Sequence, residues 1–476
     1  MKITKKLIAL LLVAAMALSF AACNGGKTQD VATSGGNNVA TPTPDVGGSG
    51  VTNEEGVDMQ GRVIKRMYWW AESEPDPNSS LAAEAQYNYN QSIYKKYNFT
   101  IKYVEGNYDT YVADIVKSVS STQDGKNLKT DITDLAPKWL FPGLISAGYL
   151  YAWDDSQYLN ANDEKWNAEV RDVCTYNGKV YGGWLMPFYA RDVFYFNQTM
   201  FEIEGLTSLY TLMENKQWNW DKFEEYCKKL TQDTNGDSVT DIYAFGGSAI
   251  ESHFIFNNGG KTLEYDENGR PVYCMDDAKT IEALQFFTDM QNAGYYASAS
   301  PDGNTAWDWY VTDFANGKIA MLSFGFYQSK TFTGNETTPG TMADKHGIAA
   351  VPLGNSNLDG EYKWAVPDFN VTAILAASYN VEEVALAFDR LSTTEISKQY
   401  WEDQYESEVK DKETLAWVKK IFWEDVNEID YLLIYTVTND GWYDYSSRFL
   451  TEGVQSVIEE VKEAQQALLD DLFSNN

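Results

Sequence analysis

The 476 residues carry 69 acidic and 37 basic side chains, a formal charge of −32 at pH 7. A surface this acidic repels polyanions, which excludes nucleic acid as a partner and favours neutral or cationic ligands and basic proteins. Apolar residues make up 44% of a chain that is long enough for two lobes, each with its own core.

The N-terminal segment has the pattern of an export signal followed by a stalk. Three lysines precede an uncharged apolar run, 7–20, which is too short to span a bilayer and leads through small residues to Cys23. This end resembles a bacterial lipobox, although Phe20 replaces the usual aliphatic residue; ordinary cleavage with a free cysteine is the alternative. We predict a signal peptide over 1–22 and a lipid-anchored flexible linker over 23–60.

Strand and helix patterns alternate from Val63 onwards, which predicts an α/β fold with parallel sheets and ligands at strand carboxyl ends. The expected strands are 63–70, 99–104, 131–136 and 372–377, with one beginning at Ile319. The expected helices are 81–97, 108–119, 139–147, 223–230, 281–290, 382–391 and 454–468, with one closing at Gly317.

One stretch, Asn177–Leu206, is predicted to cross between two lobes. Its core mixes aromatic and β-branched residues with Gly182 and Gly183, which suits an extended strand that bends. We expect 184–192 to lie at the base of a cleft, with Tyr189 the favoured ligand contact in this segment.

Enzyme motifs are absent from the sequence. There is no HExxH, P-loop, GxSxG or zinc-type Cys/His set, and the two histidines, His253 and His346, are far apart. Cys174, Cys227 and Cys274 lack metal-ligand spacing and are expected to be small buried hydrophobes. We therefore expect no catalytic residues, with a secreted hydrolase using paired carboxylates as the alternative.

A loop of oxygen-bearing residues has the spacing of a calcium loop. Asp233, Asn235, Asp237 and Asp241 occupy positions one, three, five and nine, and Val239 can offer its carbonyl at position seven. Positions six and twelve carry Ser and Ala where the motif has Gly and Glu. A structural calcium and a polar turn without metal therefore both stay open, and no other cofactor is expected.

Several short segments, taken in their order along the chain, resemble segments of one protein family. They are Asn-Gly-Lys-Val-Tyr at 177–181, Tyr-Phe-Asn at 195–197, Trp-Asn-Trp-Asp at 218–221, the segment 233–237, Asn-Asn-Gly-Gly at 257–260 and the segment 314–321. This set resembles the family-1 extracellular solute-binding proteins, the maltose-binding-protein-like lipoprotein receptors of sugar-importing ABC transporters. The resemblance implies a two-lobed periplasmic-binding-protein type II fold. Each lobe is then a mixed, mostly parallel sheet flanked by helices, with a ligand cleft between the lobes.

The predicted lobes and function follow from that resemblance. Lobe 1 comprises 61–187 and 367–425, and lobe 2 comprises 188–366 and 426–476. The implied protein is a monomer tethered through Cys23 to the outer face of a bacterial cell membrane. It captures a carbohydrate, an oligosaccharide given the abundance of aromatic residues, and delivers it to an ABC permease. A peptide-binding receptor of the same architecture is a further alternative.

Carbohydrate sites combine aromatic planes, which cover the ring face, with charged and amide groups for the hydroxyls. The candidate contacts are residues of these types at strand ends, at crossings or where the resemblance implies ligand contacts: Trp70, Glu72, Trp139, Tyr189, Arg191, Tyr327, Trp364, Asp368, Trp442 and Tyr443. For each aromatic residue, plain core packing is the alternative.

Overall fold

The computed structural model describes residues 56–70, 72–185, 192–267, 269–334, 339–409, 411–423, 427–435 and 443–473. They all belong to one compact unit, Thr52–Asn476. The predicted lipidation site Cys23 and the candidates Tyr189, Arg191 and Trp442 lie outside the described residues, and the side chain of Tyr443 is also outside them.

The described secondary structure alternates between strands and helices over most of the chain. The strands are β1 (Arg62–Tyr68), β2 (Phe99–Glu105), β3 (Ile132–Leu135), β4 (Thr175–Tyr176), β5 (Lys179–Val180), β6 (Asp192–Asn197), β7 (Tyr243–Gly247), β8 (Leu263–Tyr265), β9 (Pro271–Tyr273), β10 (Tyr296–Ala297), β11 (Ile319–Gly325), β12 (His346–Ala349), β13 (Trp364–Val366), β14 (Val371–Ile374) and β15 (Asn427–Ile429). The α-helices are α1 (Leu81–Tyr97), α2 (Tyr111–Ser121), α3 (Ala168–Val173), α4 (Gln198–Ile203), α5 (Leu209–Glu214), α6 (Trp220–Leu230), α7 (Ile250–Asn257), α8 (Ala278–Asn292), α9 (Trp309–Ala315), α10 (Ser329–Thr333), α11 (Val381–Leu391), α12 (Thr394–Glu408), α13 (Lys412–Trp423), α14 (Tyr431–Tyr435), α15 (Tyr443–Ser446), α16 (Phe449–Glu452) and α17 (Val454–Phe473). Short 3₁₀ turns cover Tyr108–Thr110, Pro137–Trp139, Trp153–Asp155 and Phe326–Gln328, and a π-helical turn covers Leu140–Leu144.

The first sheet has four strands in the order β14-β3-β1-β2. The strand β1 runs parallel to β2 and β3, while β14 is antiparallel to β3. Helix α1 connects β1 to β2 and has the predicted bounds. It begins after Ser80, whose side chain accepts a hydrogen bond from Ala83 N, and it ends at Asn98, which is left-handed with φ 55°. Both are preferred helix-end residues, so the sequence defines this helix locally.

The second sheet has five strands in the order β10-β7-β11-β6-β12. The strands β10, β7 and β11 are parallel, and β6 is antiparallel to both of its neighbours. Every residue of β6 and of β11 is buried, as expected for central strands covered on both faces. The two mixed sheets with flanking helices confirm the predicted α/β class.

The chain passes from the four-stranded to the five-stranded sheet within the predicted crossing. Gly183 pairs with Thr372 of β14, whereas Asp192 begins β6 and pairs with Gly325 of β11. A second passage runs from β12 of the five-stranded sheet through β13, which pairs with β15 in a separate two-stranded sheet, and then through Pro367 to β14 of the four-stranded sheet. The predicted single bent strand is instead divided into β5 and β6.

Gly182 and Gly183 are needed for close packing. A Cβ on Gly182 would lie 2.6 Å from Val371 Cγ1, and one on Gly183 would lie 2.6 Å from the ring of Trp153. Both contacts are far shorter than carbon atoms allow, so only glycine lets the crossing approach the second passage and the core.

One predicted helix differs from the structure. The helix expected at 139–147 is replaced by a 3₁₀ turn and a π-helical turn, because Pro142 and Gly143 interrupt it. Helix α13 packs against β12 of the five-stranded sheet, although the predicted boundaries assign 367–425 to the other lobe. The division into lobes by residue number stays a prediction.

The cysteines of the described chain are Cys174, Cys227 and Cys274, all buried and free. Burial raises the pKa of the Cys274 thiol to about 11, so it stays protonated and unreactive at neutral pH. Within the described residues, none of the helices combines the length and apolar character needed to cross a membrane.

Candidate functional site

A cavity of about 470 Å³ lies where both passages meet the five-stranded sheet. We call it the cleft cavity. Asp192 at the start of β6 and Asp368 after β13 line it, together with Lys138, which follows β3 of the four-stranded sheet. Because residues next to both sheets line one cavity, a ligand there would contact both halves of the protein.

Four aromatic side chains form one wall of the cleft cavity: Trp307, Tyr310, Phe324 and Tyr327. Phe324 lies at their centre, with ring centroids 6.0 Å from Trp307, 6.3 Å from Tyr310 and 6.1 Å from Tyr327. The indole of Trp307 is 74% exposed, which is rare for so large an apolar group. The wall therefore offers planes on which a ligand ring can stack.

The loop after β7 forms another part of the lining. Ser248 N donates to Ser323 O, and Ser323 Oγ donates to Ser248 O, which fixes the loop to β11. The next residue, Ala249, has a φ of 53°, a left-handed conformation that a residue with a Cβ rarely adopts. Such strain persists only where surrounding contacts enforce it, and it often marks binding sites.

Glu251 lies in the first turn of α7, directly behind this loop. The side chain is only partly buried by accessible area, yet the surrounding atoms exclude enough water to raise the pKa of its carboxyl to about 7. Burial and the charge of this carboxyl both raise the pKa of Tyr310, so Glu251 lies near the aromatic wall. Close to neutral pH it can therefore either donate or accept a hydrogen bond.

Helix α14 contributes the apolar lining residues Leu433 and Ile434. The fully buried Asp430 fixes the start of this helix: its Oδ1 accepts from Leu433 N at 3.1 Å and from Thr262 Oγ1 at 2.9 Å. Its Oδ2 accepts from Ser252 Oγ at 2.7 Å. One buried carboxylate thus joins α14 to α7 and keeps the apolar side of the cavity in place.

A second cavity of about 560 Å³, which we call the lateral cavity, lies against the face of the four-stranded sheet that carries Arg66 and Tyr68. Two of the predicted ligand contacts, Trp70 and Glu72, line this cavity and not the cleft cavity. Trp70 Nε1 donates to Glu72 Oε2 at 3.0 Å, which fixes the plane of the indole.

A third cavity of about 370 Å³ lies between β12 and the end of α12. His346 and Glu408 are among its lining residues. None of its lining residues in the described chain belongs to either passage between the sheets, so it is separate from the cleft.

The sequence profile of one family, described as bacterial extracellular solute-binding protein, matches residues 71–399. This match covers well over half of the chain. The protein belongs to this family. No protein in the curated collection matches it significantly.

Solved structures give the same fold for this solute-binding protein. The GacH receptor of Streptomyces glaucescens superposes with a TM-score of 0.59 at 16% identity, over 86% of this chain and 99% of that one. The MalE3 protein of T. maritima gives 0.57 at 16% identity, over 86% and 100%. UgpB from Mycobacterium tuberculosis gives 0.57 at 16%, over 86% and 98%. These are two-lobed periplasmic solute-binding proteins, which confirms the predicted fold class.

The predicted ligand contacts of the solute-binding protein fall into three groups: residues that line the cleft cavity, residues that line the lateral cavity (Trp70 and Glu72), and residues that pack against other aromatic rings. Tyr327 and Asp368 line the cleft cavity. Trp139 is partly exposed and directly follows the cleft-lining Lys138, but it lines neither the cleft nor the lateral cavity, and its ring stacks on Tyr111 at 4.9 Å. Trp364 is 1% exposed and packs against Trp417 at 5.6 Å, so it lies in the interior of the structure.

Sequence reasoning missed most of the aromatic wall, namely Trp307, Tyr310 and Phe324. A signal was present, because Trp307 lies in the connecting segment just before α9 and begins the run Trp-Asp-Trp-Tyr, which continues into the helix. Clustered aromatic residues in a connecting segment point to binding more strongly than the same residues in a buried strand.

The loop from Asp233 to Asp241 is exposed and held by its own hydrogen bonds. Asp233 accepts from Ser238 N at 2.8 Å and from Gly236 N at 2.7 Å, and Asp241 accepts from Thr234 Oγ1 at 2.6 Å and from Thr234 N at 2.8 Å. These bonds lower the pKa of both carboxyls. Across the described residues no cluster of three or more His, Cys, Asp or Glu is arranged to hold a metal ion. Calcium binding here stays a prediction.

Proposed function

We propose that this protein captures a carbohydrate in the cleft cavity and delivers it to the membrane permease of an ABC importer. The observation that carries the proposal is the exposed indole of Trp307, which stands in a wall of four aromatic rings lining a cavity that also contains Asp192 and Asp368. Stacking planes with acceptors for hydroxyl hydrogens are the combination that sugar rings require.

The mechanism follows from the origin of the lining residues. Lys138 comes from the four-stranded half, and Tyr327 comes from the five-stranded half. A sugar bound to both halves gains more contacts in a closed arrangement than in an open one, so binding shifts the population towards closure. The permease then distinguishes the loaded receptor from the empty one by its shape.

Structural relatives support this ligand class. The GacH receptor was solved with acarbose, the protein of T. maritima with maltose, and Lmo0181 of Listeria monocytogenes with cycloalternan. The same fold in UgpB holds glycerophosphocholine, so that compound belongs in the screen.

The test is calorimetry and thermal shift of the full chain with maltose, maltotriose, acarbose, cycloalternan, glycerophosphocholine and a peptide pool. We expect saturable binding of a glycan without product formation. Tyr327→Ala should weaken that binding about tenfold through the loss of one stacking plane. Hydrolysed glycan would favour the hydrolase, and binding of peptides alone would favour the peptide receptor.

Anchoring through Cys23 is the second part of the proposal, and its support is the lipobox-like sequence at 20–23. A lipid-anchored receptor stays with the membrane fraction without a spanning helix. We expect Cys23→Ser to release the protein into the medium. Equal membrane association of the variant and the wild type would contradict the anchor.

A further inference from the structure

The lateral cavity is lined by polar side chains that the structure holds in fixed positions, and it is separate from the cleft cavity proposed to bind the solute. Its lining comes from the face of the four-stranded sheet, from α1, α11 and α12, and from the loop after β1, with Trp184 and Leu185 of the crossing and Lys330 of α10 completing it. None of these residues lines the cleft cavity. Its volume of about 560 Å³ falls in the range of small-molecule sites.

The sheet side presents a fixed guanidinium. Arg66 Nε and Nη2 donate to the two carboxylate oxygens of Asp134 at 2.8 and 2.9 Å, and Asp134 is completely buried. The ring of Tyr68 lies 5.0 Å from the guanidinium carbon. Because two bonds fix its plane and its side chain is 28% exposed, Arg66 can offer a donor to a ligand without losing further rotational freedom.

The helix side presents an amide pair. Gln86 Nε2 donates to Asn90 Oδ1 at 2.9 Å across one turn of α1, and Asn90 is only 8% exposed. Within the described residues, the remaining amide atoms, Gln86 Oε1 and Asn90 Nδ2, make no other side-chain hydrogen bond. One acceptor and one donor therefore remain unused in the lining of this cavity.

Trp166 also lines the cavity, and its indole nitrogen is buried. The residue is 3% exposed, and its Nε1 has no hydrogen-bond partner in the described chain. Leaving a buried N–H group without a partner costs about 1–3 kcal/mol. Because that nitrogen is inaccessible to solvent, a ligand in the cavity can contact the ring of Trp166 but not its N–H group.

The remaining lining decides the chemical class of that ligand. The indoles of Trp70, Trp184 and Trp401 provide apolar planes, while Glu72 and Glu74 on the loop after β1 disfavour an anion. A purely apolar ligand would leave the amide and guanidinium groups without partners. A neutral ring with several hydroxyl groups satisfies both kinds of lining.

We propose that the lateral cavity is a second carbohydrate site, which takes a neutral sugar ring independently of the cleft cavity. This site goes beyond the proposed function, because capture in the cleft needs none of Arg66, Gln86 and Asn90. Its chemistry rests on groups that the fold already holds in place.

The test is a crystallographic soak of the full chain with glucose and with maltose, followed by calorimetric titration with the same sugars. We expect density between Arg66 and Gln86, and a binding event that Gln86→Met weakens about tenfold through lost hydrogen bonds. The matched control is Gln285→Met, which removes an amide that bonds Asp289 across one turn of α8 on an exposed surface. Trp401→Ala provides a second variant if Gln86→Met does not fold.

The outcomes separate this inference from the proposed function. Sugar density in the cleft cavity alone would overturn the second site and leave the proposed function intact. Sugar density in the lateral cavity alone would support the second site and overturn capture in the cleft. Density in neither cavity would overturn both. A binding event at the lateral cavity that is equally strong in Gln86→Met and Gln285→Met would also overturn the second site.

Discussion

Gly183 and Thr372 exchange two backbone hydrogen bonds, 3.1 Å from Gly183 N to Thr372 O and 2.9 Å from Thr372 N to Gly183 O. The two passages between the sheets are therefore joined to each other where they meet the four-stranded sheet. Beyond this joint, Asp192 on one passage and Asp368 on the other line the same cavity. The hydrogen bonds between Gly183 and Thr372 thus help to fix the positions of the two passages that line the cleft cavity.

The close contact of the two passages at Gly183 leads to a first prediction, on the substitution Gly183→Ala. A Cβ at this position would lie 2.6 Å from the completely buried ring of Trp153, which cannot move without disturbing the core. We expect the free energy of unfolding, measured with urea, to fall by about 1–3 kcal/mol. The control is Gly143→Ala, where no atom lies within 4 Å of the added carbon. Equal stabilities of the two variants would contradict this account of the crossing.

The fold could be predicted from the sequence where local signals are strong. Helix α1 has a polar residue at its start and Asn98 at its end, and its predicted bounds agree with the structure. The crossing was predicted because two adjacent glycines interrupt an otherwise β-forming stretch. The position of α13 depends on which distant strand it packs against, and no local pattern encodes that contact.

The candidate site could be predicted only in part. Tyr327 follows the end of a buried strand, a position that chain order alone indicates, and it lines the cleft cavity. Trp139 and Trp364 have similar local contexts but pack on Tyr111 and Trp417. Burial of an aromatic ring depends on its tertiary neighbours, so the sequence does not separate these two rings from Tyr327, which lines the cavity.

A second prediction concerns the missed residue Trp307. Because its indole is 74% exposed, Trp307→Ala should leave the free energy of unfolding nearly unchanged. Removal of its plane from the aromatic wall should weaken glycan binding about three- to tenfold by calorimetry. Leu358→Ala is the control, because Leu358 is 88% exposed and lines neither the cleft nor the lateral cavity. Equal glycan affinity of both variants would remove Trp307 from the site.

The ion pair between Arg66 and Asp134 gives a third prediction. Asp134→Ala leaves a guanidinium, whose side chain is 28% exposed, without its two acceptors. We expect a loss of about 3 kcal/mol in the free energy of unfolding by urea titration. The control Asp124→Ala breaks an exposed pair with Lys126 at 3.8 Å and should cost less than about 0.5 kcal/mol. Similar losses in both variants would show that Arg66 does not depend on this partner.

The fourth prediction is a dependence of stability on pH that comes from Glu251. Burial raises the pKa of this carboxyl to about 7 from its ordinary value of 4.5. Between these values the folded protein holds a proton that the unfolded chain has released, so the stability contribution of this group falls as the pH rises from 4.5 to 7. His253 acts in the opposite direction, because burial lowers its pKa to about 3 from 6.5, and its contribution is lost as the pH falls through that range.

Glu251→Gln isolates the first of these two effects, because His253 is common to the variant and the wild type. The variant should gain about 2–3 kcal/mol relative to the wild type when urea unfolding at pH 8 is compared with pH 5, since glutamine needs no proton to stay neutral. Glu463→Gln, on the exposed side of α17, should follow the pH profile of the wild type. If Glu251→Gln also follows the wild type from pH 5 to pH 8, the carboxyl is ionised throughout, and it cannot act as a hydrogen-bond donor beside the aromatic wall.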